Sequence, residues 1–339
     1  MPRLLFLVSG ARELPLADGS MHETGYFAEE ALTPYERFVE AGVDIDVATP
    51  DGRAPHADPY GLEPIFHYPD EDEDFLASIT RTFAHDVDDI RLTLRHLTEI
   101  GLIAARRVHL ALVEAGVTPE QARDQVARAA RTAWDTDRNF LDVLDETGDG
   151  APLDRAALDR AYTAVVEDSR RESERVAATL AANPGFQQPT SLAALSDEQL
   201  AGYDAVFAPG GHGPMVDLAD NPDVTRLLRI LHQKRAPIAS LCHGPALLLA
   251  APANLDGQWI FDGYRVTAFT DEEEYQTPPG KLGMPWLLEA SLRNAGAVFD
   301  DARAAWTSHV VVDRNVITAQ NPNSADAVAD AVLKALDVL

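Results

Sequence analysis

Pro237-Ile238-Ala239-Ser240-Leu241-Cys242-His243-Gly244-Pro245 runs into Ala246-Leu247-Leu248-Leu249, so an apolar strand passes through a tight turn into a helical run. Cys242 is the only cysteine of the chain and sits on that turn. Strand, turn and helix in this order form a nucleophile elbow. A thiol beside an imidazole at a helix N-terminus has its charged, nucleophilic form favoured by the dipole and by the ring. The competing reading is a buried cysteine acting as a small hydrophobe. The Cys-His-Gly-Pro turn and the strand before it weigh for a reactive residue.

Outward from the elbow, apolar runs recur at the spacing of an alternating sheet. Arg3 to Gly10 reads as a strand, Tyr26 to Ala41 as a helix and Val43 to Ala48 as a strand closed by Pro50-Asp51-Gly52. Strand, helix, strand is a βαβ unit and calls for a parallel sheet. The alternation resumes with the strand Ala205 to Ala208, the turn Pro209-Gly210-Gly211-His212-Gly213 and the helix Asn221 to Gln233. Beyond Cys242 come a strand over Arg265 to Phe269, a helix over Trp286 to Asn294, a hairpin over Val310 to Thr318 turning at Asp313-Arg314-Asn315, and a helix from Ser324. Ala205 to Ala208 lacks polar alternation, as expected of a strand covered on both faces. The expected fold is a doubly wound, mostly parallel α/β sheet formed by residues 1–70 and 185–339.

Residues 71–184 are of another kind, rich in alanine, arginine, aspartate and leucine and poor in strand signals. Phe83, Val87, Ile90, Leu94 and Leu97 fall on one helical stripe. Thr118-Pro119-Glu120-Gln121 is a helix start, with threonine as N-cap, proline at the first helical position and glutamine placed to close a capping box. A further helix is expected from Leu153 towards Leu180, ended by Asn183-Pro184-Gly185. The segment therefore reads as an inserted α-helical cap or bundle. The acidic run Asp70 to Asp74 reads as a solvated helix start.

The chain has 339 residues, 46% of them hydrophobic, enough for a large core. Its formal charge of −27 disfavours nucleic-acid phosphates and anionic membrane surfaces as partners. Lysine occurs only at Lys234, Lys281 and Lys334, a bias consistent with a GC-rich genome or a salty cytoplasm. The apolar start, Met1 to Val8, stops at Ser9-Gly10, short of a signal segment, and no stretch approaches a membrane span. A cytoplasmic location is expected.

Phe207-Ala208-Pro209-Gly210-Gly211-His212-Gly213 and Leu241-Cys242-His243-Gly244-Pro245 together resemble the ThiJ/PfpI superfamily. Gly25-Tyr26-Phe27-Ala28-Glu29-Glu30-Ala31-Leu32-Thr33-Pro34 narrows the likeness to its heat-inducible chaperone and glyoxalase III branch. The likeness spans residues 1–65 and 190–339 and stops at the insertion, which is much longer than the extra segments usual in that branch. It implies a flavodoxin-like fold related to the class I amidotransferases, and a homodimer. It also implies that Glu30 is the carboxylic acid beside the thiol, with Glu29 turned away. A carboxyl held beside a thiolate has its pKa raised and becomes a general acid/base candidate near neutral pH. His243 needs an orienting acceptor; the spacing in the resembling enzymes selects Glu274, while Asp271 and Glu273 remain open. The backbone N–H of His243 and the Gly210-Gly211 turn would form an oxyanion site, and His212 would be a pocket wall or substrate contact.

His56, Glu63 and His67 have metal-ligand chemistry without diagnostic spacing, and His85, His96 and His109 read as bundle surface, so no metal site is expected. The activity implied by the resemblance is glutathione-independent glyoxalase chemistry, without flavin or nicotinamide: Cys242 adds to a 2-oxoaldehyde such as methylglyoxal and a 2-hydroxy acid is released. A cysteine hydrolase or hydratase acting on a peptide, amide or isonitrile, and a stress holdase chaperone or redox sensor, remain as alternatives. Ammonia transfer is set low, because a His-x-Glu motif is missing from the region around His309-Val310-Val311-Val312-Asp313.

Overall fold

The computed structural model describes residues 1–62, 102, 105–147, 154–255 and 257–338. The chain divides into two compact units, Met1–Leu62 with Arg175–Leu339, and Glu63–Glu174. The strands are β1 (Arg3–Leu7), β2 (Glu13–Pro15), β3 (Met21–Glu23), β4 (Asp44–Thr49), β5 (Thr190–Ser191), β6 (Ala205–Ala208), β7 (Ile238–Leu241), β8 (Arg265–Val266), β9 (Val298–Phe299), β10 (Val310–Asp313) and β11 (Val316–Ala319). The main sheet has the order β10-β11-β7-β6-β1-β4-β5, parallel throughout except for the β10–β11 hairpin. This is the doubly wound architecture that the alternation of apolar runs predicts.

Alternate residues of the central strands supply two cores. Leu5, Leu7, Val206, Ala208 and Ile238 pack with Val224, Leu227, Leu228 and Leu231 and with Ala246, Leu247 and Leu248. On the other parity, Phe6 meets Phe207 at 5.2 Å and Phe186 at 5.9 Å between ring centroids, and Phe207 meets Phe38 at 5.4 Å. Each central strand is thus apolar on both faces, which is why these segments read as continuous runs.

Helix α1 (Ala28–Glu40) carries Phe38 on its buried side. Pro34 sits inside it and cannot donate the amide that the Glu30 carbonyl would otherwise receive.

The second unit contains α2 (Ala105–Glu114), α3 (Pro119–Thr136) and α4 (Phe140–Thr147), and α5 (Arg155–Ala182) begins in it. Ala122, Val126, Ala129, Ala133, Phe140, Val143 and Leu144 are buried there. Thr118 caps α3 by accepting the Gln121 amide, but the Gln121 side chain faces the Thr118 hydroxyl, so only half of the expected capping box forms.

The core unit resumes at Arg175, before the expected boundary at 184, because α5 runs on unbroken to Ala182. Val176 and Leu180 are buried, and Arg175 pairs with Glu36 of α1 at 3.0 Å. Asn183-Pro184-Gly185 ends α5 and starts a one-turn helix, Pro184–Gln187, whose Phe186 joins the aromatic core. The expected stripe from Phe83 to Leu97, the run Asp70 to Asp74, and Glu63, His67, His85 and His96 lie outside the described residues.

The segment Arg265 to Phe269 departs from expectation. Only Arg265 and Val266 are strand, and they pair with β9 in a separate two-stranded sheet. The Thr267 amide turns instead to the Thr318 hydroxyl. After α6 (Pro222–Lys234) and β7, the run beyond Cys242 is a 3₁₀ helix, Gly244–Ala250, in place of the expected α-helix. Later helices include α7 (Asp271–Glu274), α8 (Leu288–Ala295) and α9 (Ala325–Ala335), with the short helix Pro278–Leu282 between the first two.

Candidate active site

The C-terminal ends of β6 and β7 lie side by side, beside β1 where the strand order reverses, the place at which open α/β sheets form their sites. Cys242 directly follows β7 and has φ 59°, a left-handed conformation that a cysteine adopts only at a cost of order 1–3 kcal/mol. The turn is pinned on both sides: the Cys242 amide donates to the Ala319 carbonyl at 2.9 Å, and its carbonyl accepts from the Phe269 amide at 2.9 Å. A Cβ on Gly244 would lie 2.3 Å from the Ala208 carbonyl oxygen, so glycine is needed to close the elbow onto β6.

The Gly25-Tyr26-Phe27 segment is laid against the turn after β6. The Phe27 amide donates to the Gly210 carbonyl, and the Gly213 amide to the Gly25 carbonyl. That docking aims the first turn of α1 at the elbow and brings Glu30, fully buried, to the Cys242 thiol. Glu30 Oε2 accepts the Gly210 amide at 2.9 Å. Oε1 is buried with no hydrogen-bond partner among the described residues. Gly210 is therefore not available as an oxyanion donor, contrary to the sequence-based expectation, because Glu30 takes its N–H. The Gly211 amide points at the cysteine sulfur.

His243 lies with Nδ1 3.3 Å from Cys242 Sγ and Nε2 2.7 Å from Glu274 Oε2. The other carboxylate oxygen, Oε1, is 2.8 Å from His212 Nε2 and accepts the Thr277 hydroxyl at 2.8 Å. One carboxylate thus bridges two imidazoles. The His243 ring is stacked between His212, at 4.1 Å, and Phe269, at 4.5 Å between centroids. Of the acidic turn, Glu274 is the residue that reaches His243. Thr270 and Glu273 close a capping box, and Glu273 takes the Trp306 amide and the Gln320 and Asn321 side chains. Glu274, about 100° further round the turn, faces the histidines.

Burial pushes the Glu30 carboxyl up to about 8, so it holds its proton at neutral pH. Burial, and then the neighbouring His212, lowers His243 to about 4 and keeps it neutral. Burial opposes charge on Glu274, but the two imidazoles outweigh it and hold the carboxyl far below the usual range. Burial likewise works against a charged His212, and Glu274 reverses it, raising His212. With Glu274 ionised, His243 donates through Nε2 and its Nδ1 is left to accept the thiol proton.

Burial and the Glu30 carboxyl push the Cys242 thiol well above its ordinary value, against the pull of the Gly211 amide. The resting residue is a thiol beside a base. The expectation of a thiolate favoured by a helix dipole is corrected here: the dipole is only that of a short 3₁₀ segment, and burial outweighs it.

Residues 190–335 match the model of the DJ-1/PfpI family. Over an alignment of 163 residues the chain is 32% identical to the protein/nucleic acid deglycase HchA of Pseudomonas aeruginosa, covering 45% of this chain and 55% of the relative. A bovine glutamine amidotransferase-like class 1 domain-containing protein 1 is 36% identical over 124 residues, 37% of this chain and 55% of the relative. The chain thus spans about half the length of these curated relatives. The crystal structure of glyoxalase III from Candida albicans aligns with TM-score 0.55 at 18% identity, over 98% of this chain and 97% of that one, a likeness of fold. Residues 101–166 match a different model, the adenylosuccinate lyase C-terminus.

Several residues of this site escaped sequence reasoning. Thr277 steadies Glu274, and Phe269, with Trp306 edge-on at 5.4 Å, walls His243. Phe269 directly precedes the Thr270 cap, and Thr277-Pro278 is itself a helix start, Thr277 capping Pro278–Leu282; these were the available signals. His56 and His109 take no part: His56 lies 3.3 Å from Glu23 and His109 faces the Pro119 carbonyl.

Gly211 has φ 80°, and a Cβ there would lie 2.4 Å from the Gly25 carbonyl oxygen and 2.6 Å from the Phe27 amide. Gly211→Ala is expected to cost about 1–3 kcal/mol or more of stability and to loosen the segment that aims Glu30. Denaturant unfolding with an unchanged midpoint would contradict this packing.

Proposed function

We propose that this protein is a cysteine-dependent enzyme acting on small reactive carbonyls, converting a 2-oxoaldehyde such as methylglyoxal to a 2-hydroxy acid without glutathione. The observation that carries the reading is the run of contacts from protonated Glu30 through Cys242 and neutral His243 to ionised Glu274. A neutral acid and a neutral base on either side of one thiol suit addition to an aldehyde.

His243 Nδ1 takes the thiol proton as sulfur bonds to the aldehyde carbon. The carbonyl π-bond breaks, and its oxygen receives the proton carried by Glu30 at Oε1, the oxygen without a hydrogen-bond partner among the described residues. The Gly211 amide lies at the reacting centre and can hold the developing charge. The Glu30 carboxylate then removes the hydrogen from the former aldehyde carbon and returns a proton to the adjacent carbonyl carbon through the enediol, while the proton on the first oxygen passes to the second. The ketone carbon is reduced, the aldehyde carbon is oxidised to a thioester, and no external oxidant is needed. Water attacks the thioester carbon and gives a proton to the Glu30 carboxylate, the carbon–sulfur bond breaks, the sulfur regains its proton from His243, and the 2-hydroxy acid leaves.

Lactate release from methylglyoxal in glutathione-free buffer tests the reading. Failure to turn over any 2-oxoaldehyde above the buffer rate would refute it.

Both protonation states set a pH window. His243 must be neutral, a state present above about 4, and Glu30 must carry its proton, a state lost as pH rises through about 8. kcat/KM is expected to hold between these limits and to fall above the upper one. Activity still climbing well into the alkaline range would place the proton donor elsewhere.

Removal of a carbonyl adduct from an amine is a second reading, favoured by the 32% identity to a protein named as a deglycase. Cys242 would then take the carbonyl carbon of a hemiaminal into the same hemithioacetal as the amine leaves. Amine release no faster with the enzyme than with a trap for free methylglyoxal alone would reduce this reading to the first.

A further inference from the structure

His212, His243 and Glu274 are buried, and their ligand-type atoms lie within 4.8 Å of one another. Both imidazoles present Nε2 to the same carboxylate, at 2.8 and 2.7 Å. Two borderline nitrogen donors and a carboxylate are the ligand set that zinc and its neighbours in the first transition row prefer over magnesium or calcium. The supporting contacts are already in place. Thr277 anchors Glu274 Oε1, and the stack of His212, His243 and Phe269 fixes the rings. Such outer contacts orient ligands in metal centres.

The geometry points to a second use of these residues: a binding site for a divalent transition ion, zinc in the first instance, held by His212 Nε2, His243 Nε2 and the Glu274 carboxylate, that switches the cysteine site off. The ion would replace the two hydrogen bonds that now tie the imidazoles to Glu274. A neutral imidazole has one N–H, so coordination through Nε2 leaves the proton of His243 on Nδ1. That nitrogen is the one 3.3 Å from Cys242 Sγ. It would then donate to sulfur and could not accept the thiol proton. Coordination removes the base without touching the nucleophile.

The inhibition rests on the function proposed above, whereas the site does not, and the two are measured separately. Binding is read by zinc titration of the full-length Cys242→Ala protein, in millimolar magnesium to occupy oxygen-only surface sites and with the thiol absent as a ligand. One equivalent of zinc is expected to bind, and His212→Asn and Glu274→Gln, each added to that background, are expected to weaken it tenfold or more. His212→Asn decides alone if the glutamate variant fails to fold by circular dichroism. No zinc uptake, or uptake that His212→Asn leaves unchanged, overturns the site. In the wild type, stoichiometric zinc is expected to stop turnover and a chelator to restore it; turnover unaffected with zinc bound overturns the inhibitory role.

Discussion

Cys242→Ala is expected to lower turnover of methylglyoxal by about 10⁴-fold or more, to the level of the buffer reaction. The size follows from the loss of the covalent route. Without sulfur no hemithioacetal forms, and Glu30 and His243 have no bound carbon on which to work. Fold should survive, because the change removes one atom from a turn whose backbone bonds to Ala319 and Phe269 are independent of the side chain. Relief of a strained cysteine, φ 59°, is not expected from alanine, which meets the same steric penalty there. Measured rates of lactate formation, with thermal melting as the control for folding, check the expectation. A variant that keeps more than a small fraction of wild-type activity would move the chemistry off this residue.

Glu30→Gln separates thiol reactivity from catalysis. The carboxyl is among the groups that push the Cys242 thiol up, through its charge and its hydrogen bond. An amide carries no charge and can donate to sulfur, so the pH midpoint for alkylation by iodoacetamide should move down. Turnover should nevertheless fall by about 10²- to 10⁴-fold, the usual loss when a positioned acid or base is removed, because glutamine can neither protonate the aldehyde oxygen nor carry the hydrogen between carbons. A thiol that ionises more readily in an enzyme that works far less well is the distinguishing pair of results. A fall in turnover matched by a rise in the alkylation midpoint would instead reduce Glu30 to an activator of the thiol.

The parts of this site that could be read from sequence are those carried by local pattern. Ala205–Ala208 is a strand apolar on both faces, and it stands in the sheet where its uniform hydrophobicity puts it. The Cys-His-Gly-Pro turn requires a sharp elbow, and Cys242 has the left-handed backbone of one. What escaped depends on partners distant in sequence. The helical run after the elbow becomes a 3₁₀ segment, and the Gly210 amide is taken by a glutamate 180 residues away in sequence. Likewise, charge alone could not choose among Asp271, Glu273 and Glu274. The Thr270–Glu273 capping box sets the register of that turn, and the pull of Gln320, Asn321 and Trp306 on Glu273 leaves Glu274 to the histidines. The separate β8–β9 pair was hidden for the same reason, since Arg265 to Phe269 has the composition of a sheet strand but spends the Thr267 amide on a side chain.

Everything proposed for this site passes through a covalent bond between the substrate and the sulfur of Cys242, which acid quenching of the working enzyme followed by peptide mass analysis would capture. Methylglyoxal also modifies arginines, so the position of the adduct matters more than its presence. One substrate-mass adduct is expected on the peptide containing Cys242, formed within a turnover, decaying as methylglyoxal is exhausted and missing from Cys242→Ala. Steady lactate formation with Cys242 unmodified, or with adducts on arginine peptides alone, would contradict it.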